Sequence, residues 1–188
     1  MTNSSVRILG IDPGSRLTGY GVIECDGSRQ RWLAHGRIRC DDGGPLPERL
    51  LRIFSELEQL IREYRPREAA VESVFVNRNA ASAIVLGQAR GAAICALAGA
   101  GLSLAEYAPA QVKSAIVGSG RAEKVQVQHM VRALLHLQQA PPADAADALA
   151  VALCHAQLRG APPVRGSRVT RGRWTAAQVA ALAKGIKP

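Results

Sequence analysis

The four cysteines of this chain, Cys25, Cys40, Cys95 and Cys154, stand far apart, and no C-x-x-C pair joins any of them. That spacing excludes a zinc ribbon, a redox centre and a secreted disulfide scaffold. No apolar run reads as reaching the ~18 residues that span a bilayer. The opening MTNSSVRILG lacks the cationic and apolar regions of a signal peptide. These absences predict a cytoplasmic protein with reduced thiols. Internal repeats are missing, and GSGRAEK at 118–124 fails the G-x-x-x-x-G-K-[ST] pattern of a nucleotide loop. The four histidines show no ligand spacing. What the chain does have is 188 residues with 47% hydrophobic and 21% charged side chains. One folded domain, or one domain with a tail, fits those figures.

Acids also run out along the sequence. Residues 1–68 are nearly neutral, with 11 Lys and Arg against 10 acids, whereas residues 69–188 carry 13 against 5. The last acid is Asp147; Arg159, Arg165, Arg168, Arg171, Arg173, Lys184 and Lys187 follow it unopposed. A net charge of +9 so distributed suits a polyanionic partner, most simply nucleic acid.

Hydrophobic patterning sets the element order. Strands are expected at 6–12, 18–25 and 30–40, joined by links short enough for an antiparallel meander. Gly43-Gly44-Pro45 breaks the chain before a helix whose Leu46, Leu50, Ile53, Leu57 and Ile61 repeat at helical spacing. EAAVE at 68–72 reads as a buried strand, parallel to a neighbour through a right-handed crossover. A helix apolar nearly all round follows at 80–100, then a strand at 102–107 and helices near 109–117, 121–136 and 142–159. The class is α/β with a mixed sheet. Residues 1–159 form the domain, and the basic, Pro- and Gly-punctuated stretch 160–188 reads as a flexible tail.

Four acids sit where an acid is uncomfortable. Asp12 and Glu72 each end an apolar strand, and Asp144 and Asp147 lie one turn apart on one face of an Ala-rich helix. Taken singly, Asp12 suits a turn before Pro-Gly, Glu72 a solvated strand end, and Asp144 a helix N-terminus. Taken together, they suit hard cations such as Mg²⁺ or Mn²⁺, which prefer oxygen ligands. A pair of such ions binds both the attacking and the leaving oxygen of a phosphodiester. Phe75, one of seven aromatic residues, stands three positions after Glu72 and before Asn77-Arg78-Asn79. There it either anchors the next helix or stacks on an unpaired base. Lys113 and Lys124 are either solvated helix residues or phosphate contacts.

These segments resemble the RuvC family of Holliday-junction resolvases. GIDPGSRLTGYGVI at 10–23 is similar to its first motif and AVESVF at 70–75 to its second. GQARG at 87–91, QVKSAIVG at 111–118, AEKVQVQHMVR at 122–132 and ADAADALAVA at 143–152 follow in family order. The likeness covers about 6–156 and implies a ribonuclease H-like fold, with a mixed sheet of about five strands flanked by helices. It implies a homodimer that resolves four-way DNA junctions in recombination and repair by paired symmetric nicks, leaving 5′-phosphate and 3′-hydroxyl ends. It places Asp12, Glu72, Asp144 and Asp147 on the metal-binding positions, the third of which is histidine in some members. It implies two Mg²⁺ per subunit, replaceable by Mn²⁺. Lys113 and Lys124 match lysines of DNA contact and catalysis, Phe75 an aromatic inserted at the crossover, and Arg78 a basic residue near it. The RuvA-RuvB branch-migration complex is the implied partner. Two other readings are weaker: a catalytically silent junction-binding protein, and an ATP-binding protein of the actin and sugar-kinase type. The latter needs duplicated domains and leaves Asp144 and Asp147 without a use.

Overall fold

The computed structural model of the chain describes residues 5–40, 44–73 and 80–159. Short links make β1 (Val6–Asp12), β2 (Leu17–Asp26) and β3 (Arg29–Arg39) an antiparallel meander. Gly27, at φ 58, supplies the left-handed residue of the β2–β3 turn. Helix α1 (Leu46–Tyr64) buries Ile53 and Leu57 and stops at Arg65, whose φ of 48 precedes Pro66. The chain then returns as β4 (Glu68–Glu72), parallel to β1, with Ile8 opposite Glu68 and Ile11 opposite Val71. Helix α2 (Ala80–Gly99) carries it across to β5 (Ser103–Tyr107), parallel to β4. The sheet is mixed and five-stranded, in the order β3-β2-β1-β4-β5.

Helices cover both faces. On one, α1 and α2 pack over Leu9, Ile11, Val22, Ile38 and Val71. On the other lie α3 (Pro109–Val117), α4 (Lys124–Leu134) and α5 (Ala143–Leu158), around Ile8, Ile23, Ala70, Leu149 and Leu153. Each fully buried leucine contributes about 1.5–3 kcal/mol. Helix α4 begins three residues later than its periodicity predicts. Glu123 is extended (φ −76, ψ 156) and donates its N–H to the Gln126 side chain at 2.8 Å, so it caps a helix whose first residue is Lys124.

Helix α5 lies almost on the backbone of the sheet, because three strand positions are glycine. A Cβ on Gly10 would stand 2.2 Å from the Ala148 carbonyl oxygen, and one on Gly19 2.0 Å from that of Asp144. At Gly21 it would stand 2.7 Å from the Leu149 side chain. The far end of α5 is clamped by buried His155, which meets the Tyr107 hydroxyl at 2.7 Å and Glu68 Oε2 at 2.8 Å. All four cysteines are free, and burial pushes the Cys154 thiol up to about 12.

Helix α2 corrects one expectation. By length and composition it is apolar enough to cross a bilayer, despite Gln88 and Arg90. Only 22% of that apolar window is buried. Ala89, Ala93, Ala96 and Leu97 face the core, while Ile84, Gly87 and Cys95 stay exposed.

Candidate active site

Asp12 is the last residue of β1 and Glu72 the last of β4; the parallel pairing of these neighbours brings both to one edge of the sheet. Asp12 stands opposite Gly19 of β2, and the Asp144 carbonyl rests against Gly19. The first turns of α5 therefore lie over the strand ends, with Asp144 and Asp147 at the rim of an otherwise buried helix. Lys124, first residue of α4, completes the far side: its Nζ lies 2.5 Å from Asp147 Oδ2. Glu72, Lys113, Lys124 and Asp147 line a cavity of about 210 Å³ with Pro109, Val112, Val127 and Ala150.

The electrostatics fit a cation site. Burial pushes the Asp12 carboxyl up to about 8, and Glu72 and Asp147 add to the rise while Lys124 opposes it. Glu72 is raised by burial and then by Asp147, with Lys124 and Lys113 pulling the other way. The ion pair with Asp147 in turn raises the Lys124 ammonium. Among the described residues no three acidic or imidazole groups already converge as a closed metal shell. Asp147 is paired with the Lys124 ammonium, while Asp12 and Glu72 feel each other's charge or that of Asp147. Oxygen donors crowded at such cost are what a hard divalent cation draws together.

The structure thus gathers Asp12, Glu72, Asp144, Asp147, Lys113 and Lys124, all singled out in the sequence. Phe75 and Arg78 lie outside the described residues, as does the stretch 160–188. The RuvC family model, described as crossover junction endodeoxyribonuclease, matches residues 8–155.

The chain belongs to the RuvC family.

A RuvC crossover junction endodeoxyribonuclease of Halorhodospira halophila is 60% identical over 156 residues, covering 83% of this chain and 93% of that relative. One from Shewanella amazonensis is 54% identical over 170 residues, covering 89% and 98%. Among solved structures, T. thermophilus RuvC in complex with a Holliday junction substrate is 38% identical. It superposes with a TM-score of 0.76 over 80% of this chain and 93% of its own. The yeast mitochondrial Holliday junction resolvase Ydc2, 12% identical with a TM-score of 0.58 over 95% and 84%, shares the fold alone. That fold is the ribonuclease H-like one.

Two features of this RuvC chain escaped the reading of its sequence. One is the direct Lys124–Asp147 pair, which depends on where α4 meets α5. The other is the seating of α5 on Gly10, Gly19 and Gly21. A sequence signal for the second exists: glycine weakens a strand interior, and its recurrence on one strand face marks the close approach of another backbone.

Proposed function

We propose that this RuvC family endonuclease resolves four-way DNA junctions by metal-dependent hydrolysis at Asp12, Glu72, Asp144 and Asp147. One observation carries the reading: Asp12 and Glu72 end adjacent parallel strands directly beneath the first turns of α5. Bound there, a pair of Mg²⁺ ions, or Mn²⁺ in their place, would supply an activated water and charge neutralisation for in-line phosphodiester cleavage, leaving 5′-phosphate and 3′-hydroxyl ends. Asp12 and Glu72 hold position because the sheet fixes their backbones. Asp147 would help to hold such a cation, and Lys124, paired with Asp147 at 2.5 Å, is placed to offer its ammonium to a phosphate. Lys113, across the cavity beside Glu72, holds a further non-bridging oxygen. Retention of all four carboxylates argues against a catalytically silent junction binder.

The remaining assignments rest on the family likeness and on charge. Phe75, three residues past Glu72, stacks on an unpaired base at the crossover, and Arg78 contacts the backbone nearby. Residues 1–159 are the nuclease domain. The stretch 160–188, with six cations and no acid, adds electrostatic attraction for DNA. The chain works in the cytoplasm as a homodimer, on junctions presented by the RuvA-RuvB branch-migration complex. Helix α2 supports the dimer. Gly87 and Gly91 lie one turn apart, a Cβ on either would meet open space, and exposed Ile84 and Cys95 flank them. Mid-helix glycines cost roughly 0.5–1 kcal/mol each, a cost that close approach of a second helix offsets.

The deciding experiment compares a synthetic four-way junction with a linear duplex, with Mg²⁺ and with EDTA. Asp12→Asn, Glu72→Gln and Asp147→Asn should each lower Mg²⁺-dependent cleavage by at least ~100-fold while junction binding stays within about threefold. Wild-type rates from any of the three would remove the metal-site assignment.

A further inference from the structure

The carboxylate site has basic residues on its α3–α4 side, Lys113 and Lys124, and a second set on the opposite side. In β3, Arg37 pairs with Gly19, and Gly19 pairs with Asp12. Residues directly opposite on antiparallel strands share a sheet face. A Cβ at Gly19 would strike the start of α5, so Arg37 and Asp12 both lie on the α5 face. Arg39, two residues on and opposite Leu17, lies on that face too. At ~4.8 Å per strand, the Arg37 backbone is roughly 10 Å from that of Asp12, with side-chain-free Gly19 between them. Exposed Arg16 adjoins them, because its carbonyl accepts the Cys40 N–H at 2.8 Å.

The arginines of the sheet divide by position. At the end remote from the carboxylates, Arg7 and Arg31 bind Glu24 and Arg159 approaches Glu68, at 2.7–3.6 Å. At the carboxylate end, Arg16, Arg37 and Arg39 are exposed and have no ion pair among the described residues. Asp41 and Asp42 follow in the sequence, outside the described residues. The backbone beneath the set is held in place: Arg52 donates to the Arg39 carbonyl at 3.3 Å. These guanidinium groups are not among the charges that act on Asp12 or Glu72, where Lys124 and Lys113 are. They suit a partner that brings its own negative charge, and guanidinium forks match phosphate oxygens.

We propose that Arg37 and Arg39, with Arg16 beside them, form a second phosphate-binding wall that grips the DNA arm on the β3 side of the active site. The assignment rests on the junction-cleaving reading above and extends it: the cleaved strand is held from both sides, by lysines at the cavity and by arginines about 10 Å beyond Asp12. With one charge per ~3.4 Å of axis on each strand, that separation reaches phosphates about three steps from the cleaved bond.

The test is anisotropy titration of a labelled four-way junction in EDTA across a salt series. Arg37→Ala/Arg39→Ala should weaken binding by about tenfold and reduce the slope of log affinity against log salt by about two. Arg37→Lys/Arg39→Lys should restore most of the slope, since a point charge still neutralises phosphate. Arg31→Ala, at the paired end, should match wild type. Circular dichroism checks folding, and should the double variant fail to fold, Arg37→Gln alone should still lower the slope by about one. If the arginine variants bind as wild type while Lys113→Ala lowers the slope, the second wall does not exist and the junction reading stands. If wild type binds the four-way junction no better than a linear duplex, the junction reading itself fails.

Discussion

Asp12 is held by the fold against its own charge. In the unfolded chain its carboxyl titrates at the ordinary 3.8; in the folded protein burial, Glu72 and Asp147 push it up to about 8. The folded state therefore binds the proton more tightly. That contribution to stability is complete below 3.8 and is lost as pH rises through about 8. Asp12→Asn keeps the shape and removes the charge, so it should raise the Tm of the protein in EDTA at pH 8.5 by about 3 °C or more, and leave it unchanged at pH 4. Differential scanning fluorimetry at both pH values measures this, and equal shifts at the two would contradict it. Mg²⁺ should raise the wild-type Tm at pH 8.5 and have little effect on the variant, because a bound cation stabilises only the fold that holds it.

Helix α5 carries two carboxylates, and its placement depends on atoms it does not own. The missing side chain at Gly19 lets the Asp144 carbonyl rest on β2, and Gly10 does the same for Ala148 one turn further on. Gly19→Ala puts a methyl group 2.0 Å from backbone oxygen, which cannot rotate away as a side chain would. The first turn of α5 must lift, and Asp144 and Asp147 move with it. Overpacking of this kind costs about 1–3 kcal/mol, so the Tm should fall by roughly 2–12 °C. Cleavage should fall further than stability explains, by about 100-fold at a temperature where the variant is fully folded. A folded variant of wild-type activity would mean that α5 does not set the carboxylate geometry. At the other end, His155 between Tyr107 and Glu68 keeps the helix from sliding along the sheet.

At the scale of the whole molecule, one carboxylate site makes one cut, while a four-way junction of approximate two-fold symmetry needs a matched pair. A C₂ dimer supplies two sites related as the substrate's strands are. Helix α2 is the interface proposed above, and its outward face is the one that would meet a second copy. Ala92 packs toward the core, whereas Gly91, Gly87, Ile84 and Cys95 form the outward stripe. Gly91→Arg should therefore convert a dimer of about twice the 19.9 kDa chain mass into a monomer, as read by sedimentation equilibrium at micromolar protein. The monomer should nick junctions without pairing the two cuts. A Gly91→Arg protein that stays dimeric would place the interface elsewhere.

By itself the sequence determined the element order, the strand that returns parallel to β1, and the acids at the two strand ends. Those features follow from local periodicity and turn residues, which neighbouring positions in the chain encode. The pairing of charge with unlike charge was not legible in the same way. Lys124 is close to Asp147 because it opens α4, with Glu123 as the cap, and because α4 packs on α5. Arg37 reads as one more solvated arginine until the register places it in the same cross-sheet row as Asp12. Likewise, α2 reads as apolar all round, and only packing shows which small residues are covered and which face outward. Hydrophobic pattern determines which elements form; which side chains meet across them depends on register and close approach, and those are properties of the assembled sheet and helices.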